Sequence, residues 1–194
     1  SDRRRDSRFA HYAGQVAPSL TPASAPSHRT AGVWSAPGRV NLIGEHTDYN
    51  GGYVMPIAID RAIEIVFRPV EGDTVDLASA NYGDRQTFSL RDIKKRADAA
   101  WINYPQGVAQ ALQEAGYKLR AFQGVVTGDV PVGAGLSSSA AFEVAAMLAF
   151  SKSSKFEIER GEMARLCQAA ENRFVGVNCG IMDMYVSLFA EKNR

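Results

Sequence analysis

Hydrophobic and polar positions change texture along this chain. Residues 1–30 mix charge with Pro18, Pro22, Pro26 and small polar residues, and only Phe9-Ala10-His11-Tyr12 carries a weak helical pattern. They read as a solvated lead-in segment. From Val33 the chain alternates in short β-rich runs, at 33–36, 53–59, 62–68, 74–79 and 86–90, separated by glycine, proline and acidic residues. A helix is expected from Pro105, which suits a first helical position, with Val108, Ala111, Leu112 and Ala115 on one stripe until Gly116. A strand at 121–127 then leads into the glycine-rich stretch 128–135. Residues 136–151 are apolar almost all round, which marks a buried helix. Another helix is expected over 157–174, with Ile158, Met163, Leu166 and Ala169 as its apolar stripe, and a short one after Asp183. Strands followed by helices, with one more strand entering a glycine loop, predict an α+β domain over residues 31–194 rather than a doubly wound parallel sheet.

Composition narrows the partners. The 22 basic and 21 acidic side chains leave a formal charge of +1, so no field of one sign draws the chain to nucleic acid or anionic lipid. The basic start, Arg3, Arg4, Arg5 and Arg8, precedes no apolar stretch of a secretory signal. The most apolar run, 140–150, is interrupted by Glu143 and has about half of the roughly 20 residues a membrane span needs. Cys167 and Cys179 fit neither a redox pair nor a structural zinc site. Both read as reduced, buried small hydrophobes of a soluble, cytoplasmic protein whose partners are small molecules.

Two segments carry chemistry. Gly133-Ala134-Gly135-Leu136-Ser137-Ser138-Ser139 lies between a predicted strand and a long helix, so loop amides and first-turn N–H groups can converge on an anion. The hydroxyls add donors and a candidate magnesium ligand. The loop lacks the Gly-Lys-Ser/Thr ending of a P-loop, and its glycine spacing does not fit a dinucleotide fingerprint. Taken alone, it also fits an ordinary turn with serine caps. The second segment, from Arg39 to Asp48, sets an arginine, Glu45, His46 and Asp48 beside Val40, Leu42 and Ile43. Carboxylates and an imidazole suit sugar hydroxyls, and a fixed arginine suits developing phosphoryl charge. Solvated loop residues would show the same composition.

Residues 35–60 resemble the galactokinase signature, notably Ser35-Ala36-Pro37-Gly38-Arg39 and Gly44-Glu45-His46-Thr47-Asp48-Tyr49. Residues 133–140 resemble the phosphate loop of the GHMP small-molecule kinases, and Cys179-Gly180-Ile181-Met182-Asp183 resembles their catalytic segment. The resemblance implies a GHMP-kinase amino-terminal domain of the ribosomal protein S5 domain 2-like fold, with the second α/β domain and a third glycine-rich motif missing. It implies transfer of phosphate from ATP to O1 of D-galactose with Mg2+, the opening step of the Leloir pathway. By position, Asp183 and Arg39 would be catalytic, and Glu45, His46, Thr47, Asp48, Gly180 and Asp183 would bind the sugar. Residues Gly133, Ala134, Gly135, Leu136, Ser137, Ser138 and Ser139 would surround the ATP phosphates, with Trp101 and Tyr104 near the adenine and Ser139 and Glu171 on the metal. Met184 departs from the family's glutamine and is expected to alter packing beside the aspartate. A monomer is expected of the full-length protein. The same signature leaves open an N-acetylgalactosamine kinase or a galactose- and ATP-binding sensor without chemistry, and a chain of this length is expected to have weak or absent activity alone.

Overall fold

The computed structural model describes residues 32–191. The lead-in segment 1–30 and its weak helical pattern lie outside the described residues.

Five strands form one sheet: β1 (Gly32–Asn41), β2 (Pro56–Pro69), β3 (Thr74–Ser79), β4 (Asp84–Ser89) and β5 (Phe122–Gly128), in the spatial order β1-β2-β5-β3-β4. Every neighbouring pair is antiparallel except β3 and β5, which run parallel. The parallel pair needs a long crossover, and α1 (Asn103–Glu114) lies within it. The α+β expectation holds.

Two expected strands, 53–59 and 62–68, are one: β2 runs unbroken for 14 residues because Asp60-Arg61 is polar but contains no glycine or proline to turn the chain. Its first expected residues, 53–55, precede the strand, yet Leu42 and Met55 still bond across (Leu42 N–H to Met55 O, 3.1 Å; Met55 N–H to Ile43 O, 3.0 Å).

The helix expected at 136 begins two residues later, as α2 (Ser138–Ser154). Ser137 has φ +57°, outside the right-handed helical region. As its composition predicts, α2 is buried nearly all round, from Ala140 to Phe150. It packs on β1 and β2. Phe150 meets Phe122 edge-on with ring centres 5.0 Å apart, and Phe122 in turn meets Phe67 at 5.3 Å, which ties helix to sheet through the core.

The expected helix 157–174 divides into α3 (Arg160–Ala169), capped by the Glu159 carboxylate on the Glu162 N–H, and a π turn (Ala170–Val175) packed on α1. The last helix, α4 (Met182–Phe189), starts before Asp183 rather than after it. Met184 is fully buried in the core, so the departure there extends apolar packing. Among the described residues no helix is long and apolar enough to cross a membrane.

Candidate active site

The site assembles where β1, the loop after β5 and the start of α4 meet. Between Pro37 and Arg39 the β1–β2 register slips. A Cβ on Gly38 would lie 2.6 Å from the Leu136 carbonyl oxygen, so only glycine lets β1 come this close to the loop. The Arg39 N–H donates to that same oxygen at 3.1 Å. Its guanidinium then makes a two-pronged contact with Asp183: Nε donates to Oδ1 and Nη2 to Oδ2, each at 2.7 Å, while Nη1 donates to the Gly135 carbonyl at 2.7 Å. Ser137 Oγ donates to Asp183 Oδ2 as well.

The serine-cap reading fails here. The N-cap of α2 makes no side-chain capping bond, and Ser137 instead spends its hydroxyl on Asp183 from a left-handed backbone conformation. Residues such as this, held in sparsely populated φ/ψ regions, gather at functional sites. Gly133 and Gly135 also have positive φ, and residues 131–135 are exposed, so the loop presents backbone toward solvent ahead of the α2 terminus.

The polar motif after β1 folds into its own loop. Thr47 Oγ1 lies 2.7 Å from the Gly44 carbonyl and 2.8 Å from that of Tyr53, Asn50 Nδ2 donates to the His46 carbonyl, and His46 Nδ1 pairs with the Tyr49 hydroxyl at 2.6 Å. Thr47 therefore serves to close the loop. Glu45 and His46 are exposed, and Asp48 is half-buried. Asp48 lies against the backbone of Gly180, where an added Cβ would sit 1.6 Å from Oδ2, and it accepts the Met182 N–H at 3.4 Å. Thus Arg39, Asp48, Ser137, Gly180 and Asp183 converge from segments far apart in sequence.

Glu171 occupies the π turn, a distortion often found at functional positions. It is buried, which pushes its carboxyl above the ordinary range, while hydrogen bonds from Cys179 and Ser139 pull it back. Asn172 holds the following loop through Cys179, accepting its N–H at 2.9 Å. The expectation for Cys179 is corrected in part: it packs against the core but is half-buried rather than buried, and its thiol donates to Glu171 Oε2 at 3.1 Å. Cys167 is buried as expected, and both thiols are free.

Beyond Ser138 and Ser139 opens a cleft of about 450 Å³ whose walls include Trp101, Tyr104, Tyr82 and Phe142. Trp101 lies nearly parallel to Phe142, ring centres 6.3 Å apart, and its indole N–H donates to Asp84 Oδ2 at 2.8 Å. Sequence reasoning passed over Phe142 and Asp84. Phe142 reads as one more apolar residue of α2, and Asp84 as a turn residue between strands; a period-of-four count from Ser138 to Phe142 was the available signal.

Comparison with known proteins agrees with this geometry. Residues 24–69 match the galactokinase galactose-binding signature and residues 103–191 the GHMP kinases N terminal domain. The chain is 50% identical over 159 residues to a galactokinase of Roseiflexus sp., covering 82% of this chain and 40% of that one. It is 44% identical over 159 residues to the galactokinase of Pyrococcus furiosus, covering 82% and 44%. The solved structure of Lactococcus lactis galactokinase complexed with galactose superposes with a TM-score of 0.85 at 33% identity, over 95% of this chain and 46% of that one. The mevalonate kinase of Methanococcus jannaschii shares the fold at a TM-score of 0.69 and 21% identity. The chain spans less than half the length of the curated relatives it matches. Both family models fall on the segments that build the Arg39–Asp183 site, and the chain matches the amino-terminal part of galactokinases of the GHMP kinase family.

Proposed function

We propose that this chain carries the sugar- and phosphate-binding half of an ATP-dependent galactokinase, which transfers the γ-phosphoryl group to O1 of D-galactose. The observation that carries the reading is the Arg39–Asp183 pair, set between the Asp48–Gly180 contact and the Gly133–Ser139 loop. Glu45, His46 and Asp48 hold sugar hydroxyls, with Gly180 and Asp183 at the anomeric end. Asp183 orients O1 and accepts its proton as the bond to phosphorus forms. A loose phosphoryl-transfer transition state asks little of the nucleophile, so placement and charge matter most. Arg39, already bonded to Asp183 and to the loop carbonyl of Gly135, stabilises charge on the transferring group.

ATP enters with its phosphates over Gly133, Ala134, Gly135, Leu136, Ser137, Ser138 and Ser139 and its base in the aromatic cleft of Trp101 and Tyr104. The Ser139 hydroxyl and the Glu171 carboxylate, whose charge Ser139 favours, are hard oxygen donors that fit a Mg2+ ion. Bound there, Mg2+ would neutralise phosphate charge. Glu171 and Ser139 would fix its place, and the half-buried Tyr104 would keep the cleft wall apolar. The domain is residues 31–194, the protein cytoplasmic, and its full-length form a monomer with no nucleic-acid or membrane partner.

The exposed apolar side chains Leu42, Ile43, Tyr53 and Met55 lie beside the sugar loop, where further polypeptide would form the opposite wall of the cleft. Activity of this chain alone is therefore expected to be weak. The test is ATP consumption by the 194-residue chain and by its full-length form with galactose, N-acetylgalactosamine and glucose. Galactose-dependent turnover in the full-length form supports the reading. Turnover only with N-acetylgalactosamine would reassign the substrate, and sugar binding without turnover would make the protein a sensor.

A further inference from the structure

Glu143 has no part in the scheme above. It lies one helical turn beyond Ser139 in α2, on the same face, and is fully buried. Neither carboxyl oxygen has a hydrogen-bond partner. Buried acids are ordinarily paired or hydrogen-bonded, because loss of water is otherwise uncompensated. Here burial and the neighbouring Glu171 both act against charge on Glu143. The two acids, Glu143 one turn past Ser139 in α2 and Glu171 in the π turn, are both buried and form one acidic centre. What such a centre lacks is a positive charge.

We propose that Glu143 is a positioning residue of the cation site at Ser139 and Glu171, its buried carboxyl supporting from behind the charge that holds a divalent cation against the nucleotide phosphates. The inference rests on the reading of Ser139 and Glu171 given above. Glu143 touches neither sugar nor nucleotide; it acts through Glu171. Carboxylates behind the direct ligands of a metal commonly change its affinity about 10- to 100-fold.

The experiment measures Mn2+ binding by electron paramagnetic resonance in the full-length protein with a non-hydrolysable ATP analogue, alongside thermal midpoints without metal. Glu143→Gln keeps shape and removes charge, and its Mn2+ dissociation constant should rise about 10-fold or more, with the metal-free midpoint unchanged or raised. Glu143→Asp retains the charge and should bind Mn2+ within a few-fold of the parent. Equal Mn2+ affinity in Glu143→Gln and the parent would overturn the proposal, as would equal losses in the Gln and Asp variants, which indicate packing alone. If the Gln variant does not fold, Glu143→Met against Glu143→Asp reads the same contrast. Glu171→Gln separates the two levels: unimpaired Mn2+ binding there defeats the metal assignment itself, whereas its loss with Glu143→Gln unaffected defeats only the role of Glu143.

Discussion

Arg39 and Asp183 are joined by two hydrogen bonds of 2.7 Å although 144 positions separate them in the chain. The pair links the bulge in β1 to the first turn of α4, so neither side chain can move alone. Asp183→Ala in the full-length protein is expected to lower kcat by about 10²- to 10⁴-fold. Galactose affinity, measured by calorimetry, should stay within a few-fold because Glu45, His46 and Asp48 remain. Retained turnover would sink the mechanism.

Gly180→Ala tests the sugar side of the site. Its Cβ would collide with the Asp48 carboxylate, which must shift by more than an ångström. Displacements of that size cost on the order of 100-fold in activity. Galactose affinity should fall with it, while nucleotide affinity, read in the absence of sugar, should hold.

The aromatic cleft predicts a different split. Trp101→Ala removes the ring that lies along Phe142, and a lost stacking surface of about 1–3 kcal/mol should raise the KM for ATP roughly 10-fold. The KM for galactose should not follow. Asp84→Asn, which weakens the hold on the indole N–H, is expected to give a smaller change in the same direction.

Both thiols are pushed upward, chiefly by burial, so thiolate is scarce near neutrality. Iodoacetamide at pH 8 should label the folded protein at least roughly 10-fold more slowly than the unfolded chain, as followed by mass spectrometry. The folded thiols hold their protons to higher pH than the unfolded ones. Their contribution to stability is intact below the free-thiol range near about 8.5 and is lost as pH rises above it. Thermal midpoints measured from pH 7 to pH 10 should decline accordingly.

Local signals in the sequence located the elements wherever period and punctuation agreed. The all-round apolar run gave the buried α2, and Pro105 with its stripe gave α1 to within two residues at each end. The signals failed where polarity imitated a turn, as at Asp60-Arg61 within β2, and where backbone geometry changed without a marker residue. Ser137 is such a case: nothing in a row of three serines says that the first has positive φ and reaches Asp183 while the third favours charge on Glu171. Nor does any local pattern announce the parallel pairing of β3 with β5. The motif residues were legible as a set because their spacing is distinctive. Glu143 was not, since within an apolar run one acid looks like an interruption. Only burial on all sides reveals it as part of the interior.

The closing of the site by α4 has a temporal meaning. Ser187 donates to the Pro37 carbonyl across 150 positions, and Asp183 meets Arg39 across nearly as many. Contacts of such separation come at a high loop-closure cost and are made late. A growing chain on the ribosome can assemble β1, β2 and the loop between them early, yet Arg39 must wait without its partner until α4 has left the exit tunnel.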